Sequence, residues 1–306
     1  MKYYDLPKTD LKVSKIALGC MRIADKSIEE VEELVKTALD CGINFFDHAD
    51  IYGGGKSEEL FGQVLEKHPE YREKMIIQTK CAIVPGKRYD FSKEYIINAV
   101  NGSLKRLHTD HVEILLLHRP DALCDPQEVA EAFDELYESG KVKYFGVSNH
   151  TPGQIALLQK YTKHPIIINQ LQLSIVHSVM IDSGMNMNMK EDFAIDKDGG
   201  VLDYCRLNDI TIQAWSIVQA SWAEGTFLNH PDYKKLNNVL DDLAKKYNVA
   251  PATIATAWIL RHPAHIQAIT GTTSPKHLIE TAEAANIELT RQEWYDLYLA
   301  SDKPLP

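Results

Sequence analysis

Ile114-Leu115-Leu116-Leu117-His118 sets four aliphatic residues in a row before an imidazole. The run has no polar residue to turn toward water. As a strand it therefore belongs to a parallel sheet covered on both faces, which reads as continuous apolar sequence rather than as alternation. Working outward, Lys93 to Leu107 before it and Gln127 to Ser139 after it have helical spacing, and Gly140 suits the C-terminal cap of the second. The same alternation continues in both directions. Upstream lie a hairpin (Tyr3 to Leu6, Lys12 to Ser14), the strand Ile16-Ala17-Leu18, and an amphipathic stretch carrying Ile28, Val31, Leu34, Val35, Ala38 and Leu39. The strand Asn44 to Asp47 comes next, then a helix from about Ser57 to Glu66 with Ser57 as its expected N-cap, and the strand Met75 to Lys80. Downstream lie strands at Tyr144 to Val147, Ile166 to Ile168, Ile210 to Trp215 and Ile266 to Ile269. Helices are expected from Pro152, at Lys234 to Tyr247, Ala252 to Leu260 and Pro275 to Ala285, and from Arg291 to Leu299.

Eight strand–helix units predict an α/β protein: a (β/α)8 TIM barrel with an N-terminal β-hairpin and extra C-terminal helices, rather than an open doubly wound sheet. No Pro/Gly/Ser-rich linker interrupts the pattern, so residues 1–306 are read as one barrel domain. The segment Met180 to Gly200 has neither period and holds four of the seven methionines. It is either a mobile surface loop or a flexible flap near a substrate mouth.

The chain has 306 residues, 44% hydrophobic and 25% charged, with a formal net charge of -10. An acidic surface argues against nucleic-acid and anionic-membrane partners. The five cysteines have no CxxC spacing, and an odd number cannot all pair internally. Reduced thiols in a cytoplasmic protein are expected. No apolar signal segment follows Met1, and no apolar stretch is long enough to span a bilayer. Twelve histidines show no HExxH and no clustered Cys/His spacing, so no metal is expected.

In a barrel of this kind the site lies at the C-terminal ends of the strands. Asp47 ends the second strand, Tyr52 follows in the next loop, Lys80 ends the third strand and His118 the fourth. One rim thus receives a carboxylate, a phenol, an ammonium and an imidazole. Tyr52 is the candidate proton donor. A free phenol has a pKa of about 10, too high for efficient acid catalysis near neutrality. At an effective dielectric of about 20 and about 4 Å, an ammonium would favour the phenolate by roughly 4 kcal/mol, or about 3 pKa units. Lys80 is that ammonium, Asp47 would hold it charged and oriented, and His118 would donate a hydrogen bond to a carbonyl oxygen. Taken singly each has a bland reading: surface Tyr, helix-capping Asp, solvated Lys, structural His. Four together at the ends of consecutive strands point to carbonyl reduction. Cys20-Met21-Arg22 follows the first strand, and Met21 is counted among the cofactor contacts.

Phe45-Phe46-Asp47…Tyr52-Gly53, Gln78-Thr79-Lys80 and Leu116-Leu117-His118-Arg119-Pro120-Asp121 resemble the catalytic signatures of the aldo-keto reductases. Gly146-Val147-Ser148-Asn149, Ile168-Asn169-Gln170, Ala214-Trp215-Ser216 and Gly271-Thr272-Thr273-Ser274-Pro275 are similar to that family's later strand ends. The resemblance covers essentially the whole chain. It implies a nicotinamide cofactor bound in extended form at the barrel mouth, although no GxGxxG fingerprint is present. Ser148, Asn149 and Gln170 would then hydrogen-bond the carboxamide, and Trp215 would stack on the nicotinamide unless it is simply core. Ser216 would meet the pyrophosphate. Gly271, Thr272, Thr273 and Ser274 would offer backbone N–H groups and a helix N-terminus to phosphate. This end departs from the commoner pattern: Gly271 and His277 stand where many members carry Lys or Arg, and Thr281 where they carry Asn. Lys276 is a candidate to compensate. NADPH is expected, with NADH possible.

The resemblance implies a small-molecule aldehyde or ketone as substrate. A monomer or weak homo-oligomer is expected. Two alternatives stand beside the reductase: a non-catalytic nicotinamide-nucleotide-sensing subunit, and a Schiff-base aldolase using Lys80, which would leave Asp47 and Tyr52 idle.

Overall fold

The structure is a computed structural model that describes residues 1–221, 223–303 and 305. Eight strands close a barrel: β1 (Ile16–Gly19), β2 (Phe45–Asp47), β3 (Ile76–Cys81), β4 (Val112–Leu117), β5 (Val142–Ser148), β6 (Ile166–Gln172), β7 (Thr211–Trp215) and β8 (Gln267–Thr270). Every neighbouring pair in it is parallel, and β8 returns to β1. The expected (β/α)8 fold is therefore the observed one.

The apolar run of β4 explains the layering. Ile114 and Leu116 turn inward and join Ala17, Phe45, Ile168 and Ile269, while Leu115 and Leu117 turn outward into the layer beneath the helices. Successive residues of a strand point to opposite faces, so a strand buried on both sides has no room for alternation. The hairpin Tyr3–Asp5 with Lys12–Ser14 pairs antiparallel. It places Leu6 and Val13 in the inner cluster, closing the N-terminal end of the barrel. Toward the other end the inward positions of β3 change from Ile76 to Gln78 and Lys80, and the interior becomes polar.

The surrounding helices are α1 (Ile28–Asp40), α2 (Lys56–Lys67), α3 (Lys93–Arg106), α4 (Pro126–Glu138), α5 (Pro152–Tyr161), α6 (Val179–Met185), α7 (Val201–Leu207), α8 (Lys234–Tyr247), α9 (Pro251–Leu260), α10 (Pro275–Glu283) and α11 (Arg291–Ala300). Capping boxes Ser27/Glu30, Thr151/Gln154 and Thr290/Glu293 start three of them. None of the described helices is long and apolar enough to cross a membrane, and the five cysteines are all free.

Two local expectations are corrected. Ser57 is not the cap of α2. Gly53, Gly54 and Gly55 take φ values of 58°, 66° and 98°, so the chain turns left-handed ahead of Lys56 and Gly55 is the cap. Glycine tolerates this turn because it lacks Cβ. Ser57 lies inside the first helical turn, where its Oγ donates to the Met21 carbonyl at 3.4 Å. The 180–200 segment is not without helix: Val179–Met185 is α6, Asp192–Ala194 is a 3-10 turn, and Met180 and Ile181 are buried. Burial of those two apolar residues holds the start of the segment against the body of the fold, while residues 187–200 are exposed or half-buried and form the expected surface loop.

Gly62 sits where α2 crosses the end of α3. A Cβ there would lie 2.1 Å from the Arg106 carbonyl oxygen and 2.9 Å from the carbonyl carbon of Leu107. Backbone cannot yield as a side chain can. Gly62→Ala is expected to destabilise the protein by about 2–3 kcal/mol despite alanine's better helix propensity of about 1 kcal/mol. Thermal unfolding measures it, and an unchanged Tm would contradict the close approach.

Candidate active site

The C-terminal rim of the barrel opens into a cavity of about 980 Å³, at the upper end of the roughly 300–1,000 Å³ typical of ligand clefts. Lys80 is fully buried beneath it. Its Nζ donates to Asp47 Oδ1 at 2.8 Å and Oδ2 at 2.7 Å, to the His48 carbonyl at 2.8 Å and to the Tyr52 hydroxyl at 3.1 Å. Parallel register does this: Asp47 pairs with Gln78 across β2 and β3, which puts Lys80 one inward position above. The glycine turn after Tyr52 brings the phenol back over the rim. The His118 ring meets the Tyr52 ring edge-on, centroids 5.9 Å apart and planes at 82°. All four expected groups are thus within one or two contacts of each other.

Their electrostatics differ from the expectation in one respect. Tyr52 has its pKa raised, not lowered. Burial drives it up, and the Lys80 ammonium opposes without prevailing. Withdrawing a phenolate from water is a larger effect here than its attraction to the Lys80 ammonium. The phenol therefore stays protonated, and Lys80 acts on the charge that develops as the proton leaves. Burial lowers Lys80 most strongly of any single cause, but Asp47 and Tyr52 together outweigh it, so the amine is held above its ordinary value. His118 is pushed down to about 2, first by burial and then by the Lys80 and Arg119 charges. Its ring is neutral. The His118 C2–H resonance is expected not to titrate between about pH 5 and about pH 8, the window in which a free imidazole changes charge. An NMR titration with His118→Asn for assignment checks this; a midpoint near the usual histidine value would contradict a neutral ring.

Of the residues expected at the cofactor, Met21, Ser148, Asn149, Gln170, Trp215, Ser216, Gly271, Thr272, His277 and Thr281 line the cavity. Asn149 is left-handed at φ 60°. Its Nδ2 donates to Ser148 Oγ at 2.7 Å and its Oδ1 accepts from Trp215 Nε1 at 3.3 Å. Trp215 is only half-buried and faces the cavity rather than the core. Both hydrogens of the Gln170 amide are used: Nε2 donates to Asp47 Oδ1 at 2.9 Å and to Gln213 Oε1 at 3.0 Å. Its Oε1 accepts from no described residue.

Thr273 and Ser274 do not line the cavity. Ser274 caps α10, its Oγ accepting from the His277 N–H at 3.4 Å. Lys276 is also off the wall: its ammonium points along α10 to Glu280 at 3.8 Å and is largely exposed, because a position one residue past the first of a helix faces outward here. Arg22 stands closer to this end of the cavity, its Nη1 donating to the Gly271 carbonyl at 3.4 Å. The 180–200 segment contributes nothing to the lining, so the flap reading is set aside. The antiparallel pair Gln219–Ser221 and Gly225–Thr226, which does line it, was not foreseen; its strands are too short to leave a period.

The set fits a nicotinamide nucleotide on observations of this chain. A free amide acceptor and an amide-held asparagine flank an indole at the reactive end. At the other, Gly271 and Thr272 lead into the capped N-terminus of α10, where partial positive charge suits phosphate.

Residues 15–298 match the aldo/keto reductase family. The chain is 34% identical to oxidoreductase YdhF of Escherichia coli, over 94% of this chain and 93% of that one. It is 35% identical to a 6-dehydroglucose reductase of Novosphingobium aromaticivorans, over 98% and 95%. The crystal structure of a thermostable aldo-keto reductase, Tm1743, in complex with the inhibitor epalrestat superposes with a TM-score of 0.79 at 27% identity, covering 98% of this chain and 100% of that one.

Proposed function

The chain belongs to the aldo/keto reductase family and is an oxidoreductase of that family; from that premise we propose that it reduces an aldehyde or ketone to the alcohol with NADPH, the proton coming from Tyr52. The single observation that carries this reading is the Lys80 ammonium bridging Asp47 and Tyr52 at 2.7 to 3.1 Å beneath an open cavity. The chemistry a bound nicotinamide would supply is hydride transfer to the carbonyl carbon. Ser148, Asn149 and Gln170 would hold its carboxamide and Trp215 its ring face. Ser216, Gly271 and Thr272, with the α10 N-terminus behind Thr273 and Ser274, would take the phosphates. Arg22 and His277 are the groups that would meet a 2′-phosphate. Lys276 and Thr281 stand one and six residues into α10, at the edge of that subsite.

The neutral His118 imidazole orients the carbonyl oxygen by donating a hydrogen bond without adding charge. Tyr52 O–H then protonates that oxygen as negative charge gathers on it, and Lys80 stabilises the phenolate left behind. Asp47 keeps Lys80 charged throughout. Each group acts by being in place before the charge moves, which is where electrostatic catalysis has its effect.

The test is oxidation of NADPH and NADH with a panel of aldehydes, diketones and sugar-derived ketones, the last because one relative is a 6-dehydroglucose reductase. Turnover with NADPH preferred supports the reading. Binding of nucleotide with no turnover of any carbonyl would replace it with the nucleotide-sensing alternative. A borohydride-trapped adduct on Lys80 would replace it with the aldolase; the pairing of Lys80 Nζ with both Asp47 oxygens argues against a free nucleophilic amine there.

A further inference from the structure

Four glutamines, Gln78, Gln170, Gln213 and Gln267, occupy inward positions of the barrel beneath the site. Gln170 pairs with Gln213 across β6 and β7, Gln213 with Gln267 across β7 and β8, and Gln78 with Asp47 across β3 and β2. All four are buried. Their amides form one directed chain. Gln267 Nε2 donates to the Ser14 carbonyl at 2.7 Å, fastening the chain to the barrel floor. Gln267 Oε1 accepts from Gln213 Nε2 at 2.8 Å. That leaves Gln213 Oε1 turned the other way, where it accepts from Gln78 Nε2 at 2.9 Å and Gln170 Nε2 at 3.0 Å. Both of these amides also donate to Asp47 Oδ1, at 2.6 and 2.9 Å.

The direction of each amide follows from the next. Flipping Gln170 would set its carbonyl against the Asp47 carboxylate and against Gln213 Oε1, two acceptors with nothing to give. Gln78 shows that this orientation is worth an unmet bond: its own Oε1 is buried with no partner among the described residues, yet its NH2 stays on Asp47 and Gln213. A buried acceptor left unpaired is unfavourable, so the two acceptors outweigh it.

We infer that Gln213, anchored by Gln267 and acting with Asp47, is a positioning residue that locks Gln170 with its Oε1 toward the cavity, so that the site accepts at this point only a ligand group bearing an N–H. The inference rests on the proposed nicotinamide reading and adds a selectivity to it. A carboxamide has the N–H that Gln170 Oε1 needs. An acetyl group in the same place offers a methyl or a second acceptor, and the locked amide has no donor left to turn toward it.

The experiment titrates the full-length protein with NADPH and with its 3-acetylpyridine analogue, by intrinsic tryptophan fluorescence and by calorimetry. The unmodified protein is expected to favour the carboxamide form by about tenfold, the worth of one good hydrogen bond. In Gln213→Met one of the two acceptors on the Gln170 NH2 is gone and only Asp47 Oδ1 still opposes the flip, so the ratio is expected to fall partway toward one. Gln213→Glu keeps an acceptor facing Gln78 and Gln170 but loses the N–H given to Gln267, so its ratio is expected to fall no further than that of Gln267→Met. Loss of packing alone would weaken both ligands together and leave the ratio unmoved. Should Gln213→Met fail to fold, Gln267→Met frees Gln213 from the floor without touching Gln170 and is expected to lower the ratio partway. Equal affinity for the two ligands in the unmodified protein, or an unchanged ratio in the variants that fold, would overturn the inference while leaving carbonyl reduction standing. Absence of binding by either ligand would fail the nicotinamide reading itself.

Discussion

Tyr52→Phe is expected to lower carbonyl turnover by about 10²–10⁴-fold, the range for loss of a positioned general acid, with nucleotide affinity and Tm little changed. The substitution removes one oxygen. Lys80 loses its 3.1 Å contact with the phenol but retains both Asp47 oxygens and the His48 carbonyl, so the buried ammonium stays paired. The aromatic ring remains to meet His118 edge-on. The net effect on stability is that of one hydrogen bond, about 1 kcal/mol. Water in place of the phenol could carry a proton, but it would be neither fixed nor backed by Lys80. Single-turnover measurements with saturating NADPH separate this step from binding. A variant that turned over at the parent rate would remove Tyr52 from the proposed chemistry as proton donor.

The elements and the four central residues were legible in the sequence for one physical reason. A parallel strand covered on both faces must be apolar along its length, so the first polar residue after the run marks where it leaves the core. Asp47 and His118 are those residues; in β3 Gln78 and Thr79 come first and Lys80 is the next inward residue after Gln78, while Tyr52 was read from its place in the loop after Asp47. What escaped notice has its own causes. The sign of the Tyr52 shift depends on how much water the fold removes, which neighbouring residue types do not encode. Ser57 looked like a cap because it precedes an apolar helix; the three glycines before it had already turned the chain. Lys276 has the right charge for a phosphate, but helix phase decides where it points, and a one-residue difference moves it to Glu280. Gln78, Gln213 and Gln267 left a signal that could have been read: one amide beside apolar neighbours in each strand. Such a residue is buried with its polar atoms and must find partners: Gln213 finds Gln267 on the neighbouring strand and Gln78 across the barrel interior.

Lys80→Met should have the largest combined effect. Methionine keeps most of the apolar stem but removes a charge that touches four oxygens. Asp47 would remain buried with its carboxylate held only by the amides of Gln78 and Gln170. Deleting one member of a buried ion pair typically destabilises by about 3–5 kcal/mol, because the other is left uncompensated. Turnover should fall by at least about 10²–10³-fold, the scale for loss of one preorganised electrostatic group, since the only ammonium opposing the rise of the Tyr52 pKa is gone. The two effects come apart in the double variant. Adding Asp47→Asn removes the orphaned charge and keeps an oxygen for Gln78 and Gln170. Much of the lost Tm should return, while turnover should not, because nothing then stabilises the phenolate. Thermal melts beside kcat measurements on the same preparations decide the point. If activity returned together with stability, Lys80 would be a strut for the barrel mouth, and the charge on which the proposed proton transfer depends would have to come from elsewhere.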